Sequence, residues 1–275
     1  MDPEPDAVTS NTSPNGITTI TINRQHRRNA VNPSTAKKLY QEILSFENDD
    51  SQKICILAGA NGTFCAGADL HEVAGIKEPP VNHENLQPVQ GRNLAPMGPS
   101  RLQVKKPIIA AVSGYAVAGG LELSLIADLR VVEEDAVFGV FCRRWGVPLI
   151  DGGTVRLQAI VGLGRALDMI LTGRAVGAEE ALAMGLANRV VPKGKALEGA
   201  MKIAIQLLAF PQWCMNVDRS SCSYSAFNAS SFEDAMRNEF ENGLKVVSVE
   251  SVKGAAIFRE GKGRHGSFGN PTSKL

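Results

Sequence analysis

Glu122 is the residue whose surroundings most need a chemical explanation. It follows two adjacent glycines, Gly119 and Gly120, in the run Pro107 to Leu129, which reads PIIAAVSGYAVAGGLELSLIADL. Burying a carboxylate among apolar side chains is costly unless the group is paired or used, because the ionised form loses its hydration. Glycines at the mouth of a helix leave backbone N–H groups uncovered by any Cβ, at the end where the helix dipole is positive. An anionic oxygen can bind there. The combination suits a reaction in which negative charge builds on an oxygen while a nearby carboxyl group moves a proton. The same letters also fit a glycine-packed core helix with an incidental acid.

A second stretch bears on the choice. Thr63-Phe64-Cys65-Ala66-Gly67-Ala68-Asp69-Leu70 follows the apolar strand Ile54 to Gly59 and again gives strand, tight Gly/Ala turn and helix start. Two N–H donors from two separate loops are what an oxyanion hole requires. Covalent catalysis is discounted: Cys65 and Cys142 are possible thiol nucleophiles, but no histidine stands at a recognisable partner position. Cys55, Cys214 and Cys222 bring the cysteines to five, an odd number without metal-type spacing, which fits reduced thiols in an intracellular compartment.

Three segments carry a resemblance: FCAGADLHEV at 64–73, KKPIIAAVSGYAVAGGLELSLIADLRV at 105–131 and FGVFCRRWGVPLIDGGTVRL at 138–157. From about Ile17 to about Gly263 the chain resembles the crotonase family of enoyl-CoA hydratases and isomerases. The resemblance implies an α/β fold, a ββα spiral core with a C-terminal helical region that makes a homotrimer or hexamer. It implies an acyl-CoA thioester as substrate, held by the N–H groups of Ala68 and Gly119 while an enolate forms. Further substrate contacts are implied for Arg28, Ala30, Ala66, Asp69, Leu70, His71 and Gly120. No cofactor is expected, since coenzyme A is part of the substrate, and no metal.

The basic loop Asn23 to Ala30 is the one that meets the nucleotide end of coenzyme A in the resembled family. Arg27 and Arg28 suit phosphate charge, or are ordinary surface arginines. Lys262 and Arg264 have the same two readings.

Glu122 occupies the first acid position of the hydratases, but Cys142 stands at the second, and a thiol has neither the pKa nor the hydrogen-bonding range of a glutamate. A replacement is visible at Asp151. Dienoyl-CoA isomerases resemble this chain in placing an aspartate three residues before the threonine that is Thr154 here. Asp151 also precedes two glycines and a helix-like run, so a helix N-cap is the competing role.

The expected activity is that of an acyl-CoA lyase or isomerase of enoyl-CoA hydratase type, with Glu122 and Asp151 moving protons. The missing second glutamate favours a delta3-delta2 or dienoyl-CoA isomerase, or a dehydratase for a specialised fatty-acid or secondary-metabolite pathway. A non-catalytic acyl-CoA-binding homologue, with the hole intact and the acid pair broken, is the alternative of another class. Nucleic-acid binding, known for some members of the family, needs a concentrated basic face, and a formal net charge of +1 argues against it.

The elements that must position these groups follow from patterning. Ile17 to Ile22 alternates as an early strand, and Pro33 leads into an amphipathic helix from Ser34 to Glu47. Pro79 to Pro99 has no periodicity and is expected as a mobile segment that shapes the acyl pocket. Strand-turn-helix units recur at Lys106–Leu129 and Val131–Ile160, a helix opens at Val176 to Leu182, and Ala187–Val191 is a strand. Helices then dominate: Leu197–Leu208, Phe232–Lys245 and Val249–Phe258. The expected organisation is a flexible tail at 1–16, the core at 17–200, the helical region at 201–265 and a second tail at 266–275.

No membrane span is expected, because Glu122 and two glycines interrupt the longest apolar run. Residues 1–16 hold three acids and three prolines rather than an apolar signal core, so the Asn-x-Ser/Thr triplets at Asn11, Asn61 and Asn228 carry little weight. Ser273-Lys274-Leu275 matches the address read by the peroxisomal import receptor, on a breaker-rich run expected to leave it exposed. Peroxisomal localisation is the expectation. Deleting the tripeptide should turn a punctate fluorescent fusion cytosolic, and unchanged puncta would reject the assignment.

Overall fold

The computed structural model describes residues 4–76, 86–261 and 263. In chain order the strands are β1 (Val8–Thr12), β2 (Ile17–Ile22), β3 (Ile54–Gly59), β4 (Ile108–Val112), β5 (Tyr115–Val117), β6 (Leu129–Glu133), β7 (Val137–Gly139), β8 (Ala175–Gly177) and β9 (Arg189–Val191). The helices are α1 (Pro33–Asn48), α2 (Leu70–Ala74), α3 (Gly119–Ser124), α4 (Gly153–Val161), α5 (Leu163–Thr172), α6 (Ala178–Ala183), α7 (Ala196–Leu208), α8 (Gln212–Phe227), α9 (Phe232–Val246) and α10 (Val252–Arg259). None of the described helices is long and apolar enough to cross a membrane. Two compact units result, Met1–Ala204 and Ile205–Leu275, the division falling inside α7.

Within the first unit, unbroken apolar runs become central strands, since a strand covered on both faces has no side to give to water. Ile54 to Ala58 and Ile108 to Val112 are buried throughout. Among the described residues one sheet has the order β1-β2-β3-β4-β6-β9 and a smaller one β5-β7-β8. The large sheet is parallel apart from β1 against β2, and in the small one β7 and β8 are antiparallel.

The chain passes from one sheet to the other and then into a helix, turn after turn. β4 leads to β5 and α3, and β6 leads to β7 and on toward α4. One turn earlier, β3 leads to Cys65, which bridges Ala116, and then to α2. Ala116 pairs in turn with Phe138. Cys65, Ala116 and Phe138 thus share one rung of three successive turns of a ββα spiral. Three residues past each rung stand Ala68, Gly119 and Phe141, where the chain leaves the ladder.

Helix α1 shows how side chains fix an element. Asn32 caps it, accepting from the Thr35 N–H at 2.8 Å, and Pro33 fills a first-turn position that needs no donor. Its buried face carries Leu39, Ile43 and Phe46, each worth about 1.5–3 kcal/mol relative to exposure. They join Ile20, Leu57, Phe64, Ile108 and Phe138 in one core.

Three expectations are corrected here. Part of the tail expected to be flexible is a strand: Val8–Thr12 pairs antiparallel with β2 around a turn in which Gly16 takes a positive φ of 87°. Its side chains are largely exposed, so no apolar alternation marks it, and the ladder with β2 supplies the order. The turn expected at Ser113–Gly120 contains β5, whose three residues pair with β7. Of the mobile segment expected at 79–99, residues 79–85 lie outside the described residues, but Ala95, Met97, Gly98 and Pro99 are buried. Gly98, at φ 83°, presses so close to α1 that a Cβ would lie 2.4 Å from the Ala36 carbonyl oxygen.

The second unit holds a helix that patterning did not announce. α8 is polar and serine-rich, without a clear apolar stripe. It is tied to α9 by Tyr224, whose hydroxyl donates to Asp234 at 3.0 Å, and Ser231 caps α9 through the Asp234 N–H. Helix α9 carries exposed Phe232, Met236, Phe240 and Leu244 at four-residue spacing. Lys262, Arg264 and the tripeptide at 273–275 lie outside the described residues.

Candidate active site

Backbone pairing determines where the two loops point. Val31 donates to the Gly67 carbonyl at 2.8 Å, and Asp69 donates to the Val31 carbonyl at 2.9 Å. Alternation along an extended segment then turns the N–H of Ala68, which lies between them, to the opposite side. On the next turn of the spiral, the Ala118 N–H is spent on the Gly139 carbonyl at 2.8 Å. Gly119 opens α3, so its N–H has no partner within the helix. Among the described residues, neither the Ala68 nor the Gly119 N–H meets a backbone acceptor.

The two loops touch, and glycines permit it. A Cβ on Gly67, which has φ 104°, would lie 2.9 Å from the Ala118 Cβ and 3.0 Å from the Gly119 nitrogen. A Cβ on Gly120 would lie 2.0 Å from the Cys65 carbonyl oxygen, and one on Gly119 2.6 Å from the Met97 sulfur. Ala118 itself is held at φ 53° and ψ −125°, a conformation costing an L-residue on the order of 1–3 kcal/mol and typical of sites where surrounding structure imposes geometry.

Glu122 lies one turn into α3 and is 3% exposed. Its Oε1 accepts from the N–H groups of Asp151 at 2.9 Å and Gly153 at 2.8 Å. Burial, reinforced by the charge of Asp151, pushes its carboxyl up to about 7. Asp151 is 4% exposed. Its Oδ1 accepts from the Met97 N–H at 2.9 Å and from the Ser100 hydroxyl. Burial holds this carboxyl above its usual range, while Ser100, Met97, Arg101 and Arg156 pull the other way. Arg156 donates to the carbonyls of Ser100 at 2.7 Å and Leu102 at 3.2 Å, close enough for both carboxylates to act on its charge.

The helix-cap role for Asp151 fails. Helix α4 begins at Gly153 behind Gly152, at φ 92°, with no side-chain cap, because the Asp151 carboxylate turns back toward Met97 and Ser100. Cys142 is buried, its thiol pushed up first by burial and then by the charge of Glu122. The Cys65 thiol is pushed up by burial to about 12. Neither sulfur is held as the thiolate that nucleophilic attack needs.

The remaining residues read from the sequence fall in two groups. Ala66, half-buried, donates to the Arg28 carbonyl at 3.1 Å, which joins the basic loop to the Ala68 loop. Arg28 is exposed in a left-handed conformation, and Leu70 and His71 are exposed on α2. The Asp69 carboxylate is committed within the protein: it accepts from Arg24 at 3.1 Å and caps α2 through the His71 N–H at 3.1 Å. Ala30 is buried, its carbonyl taken by the same Arg24 guanidinium.

Sequence reasoning missed Arg24, Asn29, Met97, Ser100 and Arg156. Asn29 donates to the carbonyls of Ala60 and Thr63 and accepts from the Arg24 N–H, fixing the start of the Ala68 loop. Met97 and Ser100 sit in a stretch without periodicity, and nothing in the letters links them to Asp151. Among the described residues no group of three His, Cys, Asp or Glu side chains is placed to hold a metal ion.

Residues 12–262 match a protein-family model described as enoyl-CoA hydratase/isomerase. A relative named enoyl-CoA hydratase EchA19, from Mycobacterium tuberculosis, is 37% identical over 254 residues, covering 88% of this chain and 89% of its own. A short-chain-enoyl-CoA hydratase of Clostridium acetobutylicum is 30% identical, covering 86% of this chain and 92% of its own. The crystal structure of an enoyl-CoA hydratase from Mycobacterium tuberculosis H37Rv superposes with a TM-score of 0.82 at 31% identity, covering 92% of this chain and 96% of that one.

Proposed function

The chain belongs to the enoyl-CoA hydratase/isomerase family and is an enzyme of it, and from that premise we propose that it holds an acyl-CoA thioester carbonyl on the N–H groups of Ala68 and Gly119 while Glu122 and Asp151 move protons. The observation that carries the reading is a pair of N–H groups on touching loops that meet no backbone acceptor among the described residues, with buried Glu122 one helical turn past Gly119 and hydrogen-bonded to the Asp151 N–H. Backbone donors fixed in advance stabilise charge that develops only as the enolate forms, so they favour the transition state over the bound substrate.

In hydration, Asp151 as carboxylate takes a proton from water, the water oxygen adds to the β-carbon, and the double-bond electrons move to the thioester oxygen. Glu122 as neutral acid then gives its proton to the α-carbon, and proton exchange between the carboxyl groups or with solvent resets the pair. Dehydration reverses these steps. In a double-bond shift, Asp151 takes a proton from one carbon, Glu122 gives a proton to the carbon at the other end of the shifted double bond, and no water is consumed. One observation favours this second reading: a thiol, Cys142, lies close enough for the Glu122 charge to act on it, at the position where the family resemblance implies a second acid. On the present proposal Arg28 and the neighbouring basic loop serve the nucleotide end of coenzyme A, and the apolar stripe of α9 serves assembly into a trimer or hexamer, which sedimentation at micromolar concentration reports directly.

Assay of the purified protein against enoyl-, 3-hydroxyacyl- and β,γ-unsaturated acyl-CoA esters tests the activity and separates hydration from isomerisation. Turnover of none of them, with binding retained, would leave the non-catalytic binder. Gly67→Ala tests the hole without touching either acid. At φ 104° the new methyl group meets Ala118 and the Gly119 nitrogen, so the two donors move apart. Loss of one oxyanion donor costs about 10²–10³-fold in kcat, and a loss in that range is the expected result. Unchanged kcat in a folded variant would remove the Ala68 loop from the reaction.

A further inference from the structure

We infer that Ser100 is a positioning residue for proton transfer: with the Met97 N–H it clamps one oxygen of Asp151, leaves the other for the substrate, and makes Asp151 the ionised member of the acid pair. The inference rests on the reading of Glu122 and Asp151 given above.

The geometry supporting it converges on the short segment from Met97 to Leu102. Met97 packs its sulfur against the α-carbon of Gly119, in the space a Cβ would need, so the segment is anchored to one of the two loops that carry the hole. The Met97 N–H and the Ser100 hydroxyl both donate to Oδ1 of Asp151. The Ser100 carbonyl is in turn fixed by Arg156 at 2.7 Å, and the Leu102 carbonyl by the same guanidinium. Ser100 is 2% exposed, so no solvent competes for its hydroxyl. Arg101 in the same segment donates to Asn93 at 2.9 Å and to the Leu94 and Gln87 carbonyls, which ties the described part of the loop before it to the same place.

The two carboxyl groups are not equivalent in this setting. Glu122 receives its two hydrogen bonds from the N–H groups of Asp151 and Gly153, and it faces the Asp151 charge and the Cys142 thiol. Asp151 faces the guanidinium groups of Arg101 and Arg156 as well as Glu122, and the Ser100 hydroxyl donates to it. A hydroxyl that donates to a carboxylate favours the charged form, so removing it raises the pH at which Asp151 loses its proton. Asp151 must be ionised to act as base, which places it on the acidic limb of kcat/KM against pH.

The test is a series at Ser100 in the full-length enzyme. Ser100→Ala should lower kcat by about tenfold with little change in KM and move the acidic limb upward by about one pH unit, as expected for loss of one hydrogen bond to a charged group. Ser100→Cys, which keeps the shape and a weaker donor, should move the limb in the same direction by less. The graded order wild type, Cys, Ala is the signature, and the Cys variant carries the test alone if the alanine variant does not fold. A limb that stays at its wild-type position, whatever happens to the melting temperature, overturns the inference and leaves Ser100 a structural residue. Asp151→Asn separates the two levels: full activity there means the acid-pair reading itself fails, whereas an impaired Asp151→Asn beside an unmoved Ser100 series fails only this inference.

Discussion

Replacing Glu122 with glutamine is expected to lower kcat by about 10²–10⁴-fold, the usual contribution of a general acid–base group, with KM little changed. Glutamine keeps a carbonyl oxygen that can accept from the Asp151 and Gly153 N–H groups, so the local geometry survives and only the exchangeable proton is lost. The alkaline limb of kcat/KM, set by a carboxyl pushed up to about 7, should disappear with it. Full activity in Glu122→Gln would remove this residue from the chemistry.

The same substitution should change stability in a direction fixed by linkage. The folded-state pKa of Glu122 lies above its ordinary value of 4.5, so between those two pH values the native state keeps a proton that the unfolded chain releases. Stability contributed by this group is therefore whole below pH 4.5 and falls as pH rises toward 7, by on the order of 3 kcal/mol. Glu122→Gln lacks that decline. Its melting temperature relative to wild type should rise across the window and level off above it. A difference independent of pH would show that Glu122 titrates as an ordinary surface glutamate.

Asp151→Asn is expected to cost kcat a factor in the same range, about 10²–10⁴, while Cys142→Ala changes it by no more than about twofold. The asparagine can still accept from Met97 and Ser100, and no helix cap is lost, because α4 starts behind glycine rather than on the Asp151 side chain. Loss of rate without much loss of melting temperature is therefore the expected pattern. Cys142 is expected to supply packing rather than protons: its thiol is buried and pushed up, and truncation to alanine should cost about 1 kcal/mol of stability. Steady-state rates and thermal melts of the two variants side by side decide the matter. If Cys142→Ala falls as far as Asp151→Asn, the thiol belongs to the proton path.

The sequence alone determined the parts of this protein that are periodic or that require a particular residue type. The runs at Ile54 and Ile108 specify buried parallel strands because β-branched and apolar residues without alternation fit no half-exposed element. Gly67, Gly119 and Gly120 mark close approaches because any Cβ there collides with backbone or a buried side chain, and Glu122 stands out because a lone carboxylate in apolar surroundings demands a reason.

Tertiary structure decided what depends on distant segments meeting. Val8–Thr12 is ordered by the edge of β2 and not by its own letters, and α8 has no stripe from which a helix could be read. Whether Asp151 capped a helix or turned back toward Met97 and Ser100 depended on a single side-chain rotation, which no spacing encodes, and that rotation is set by two donors about fifty residues away in an aperiodic stretch. Local pattern reports what one segment can bury. The direction of a polar side chain is fixed by whichever partner lies within about 3 Å of it, and here those partners come together only when the spiral closes.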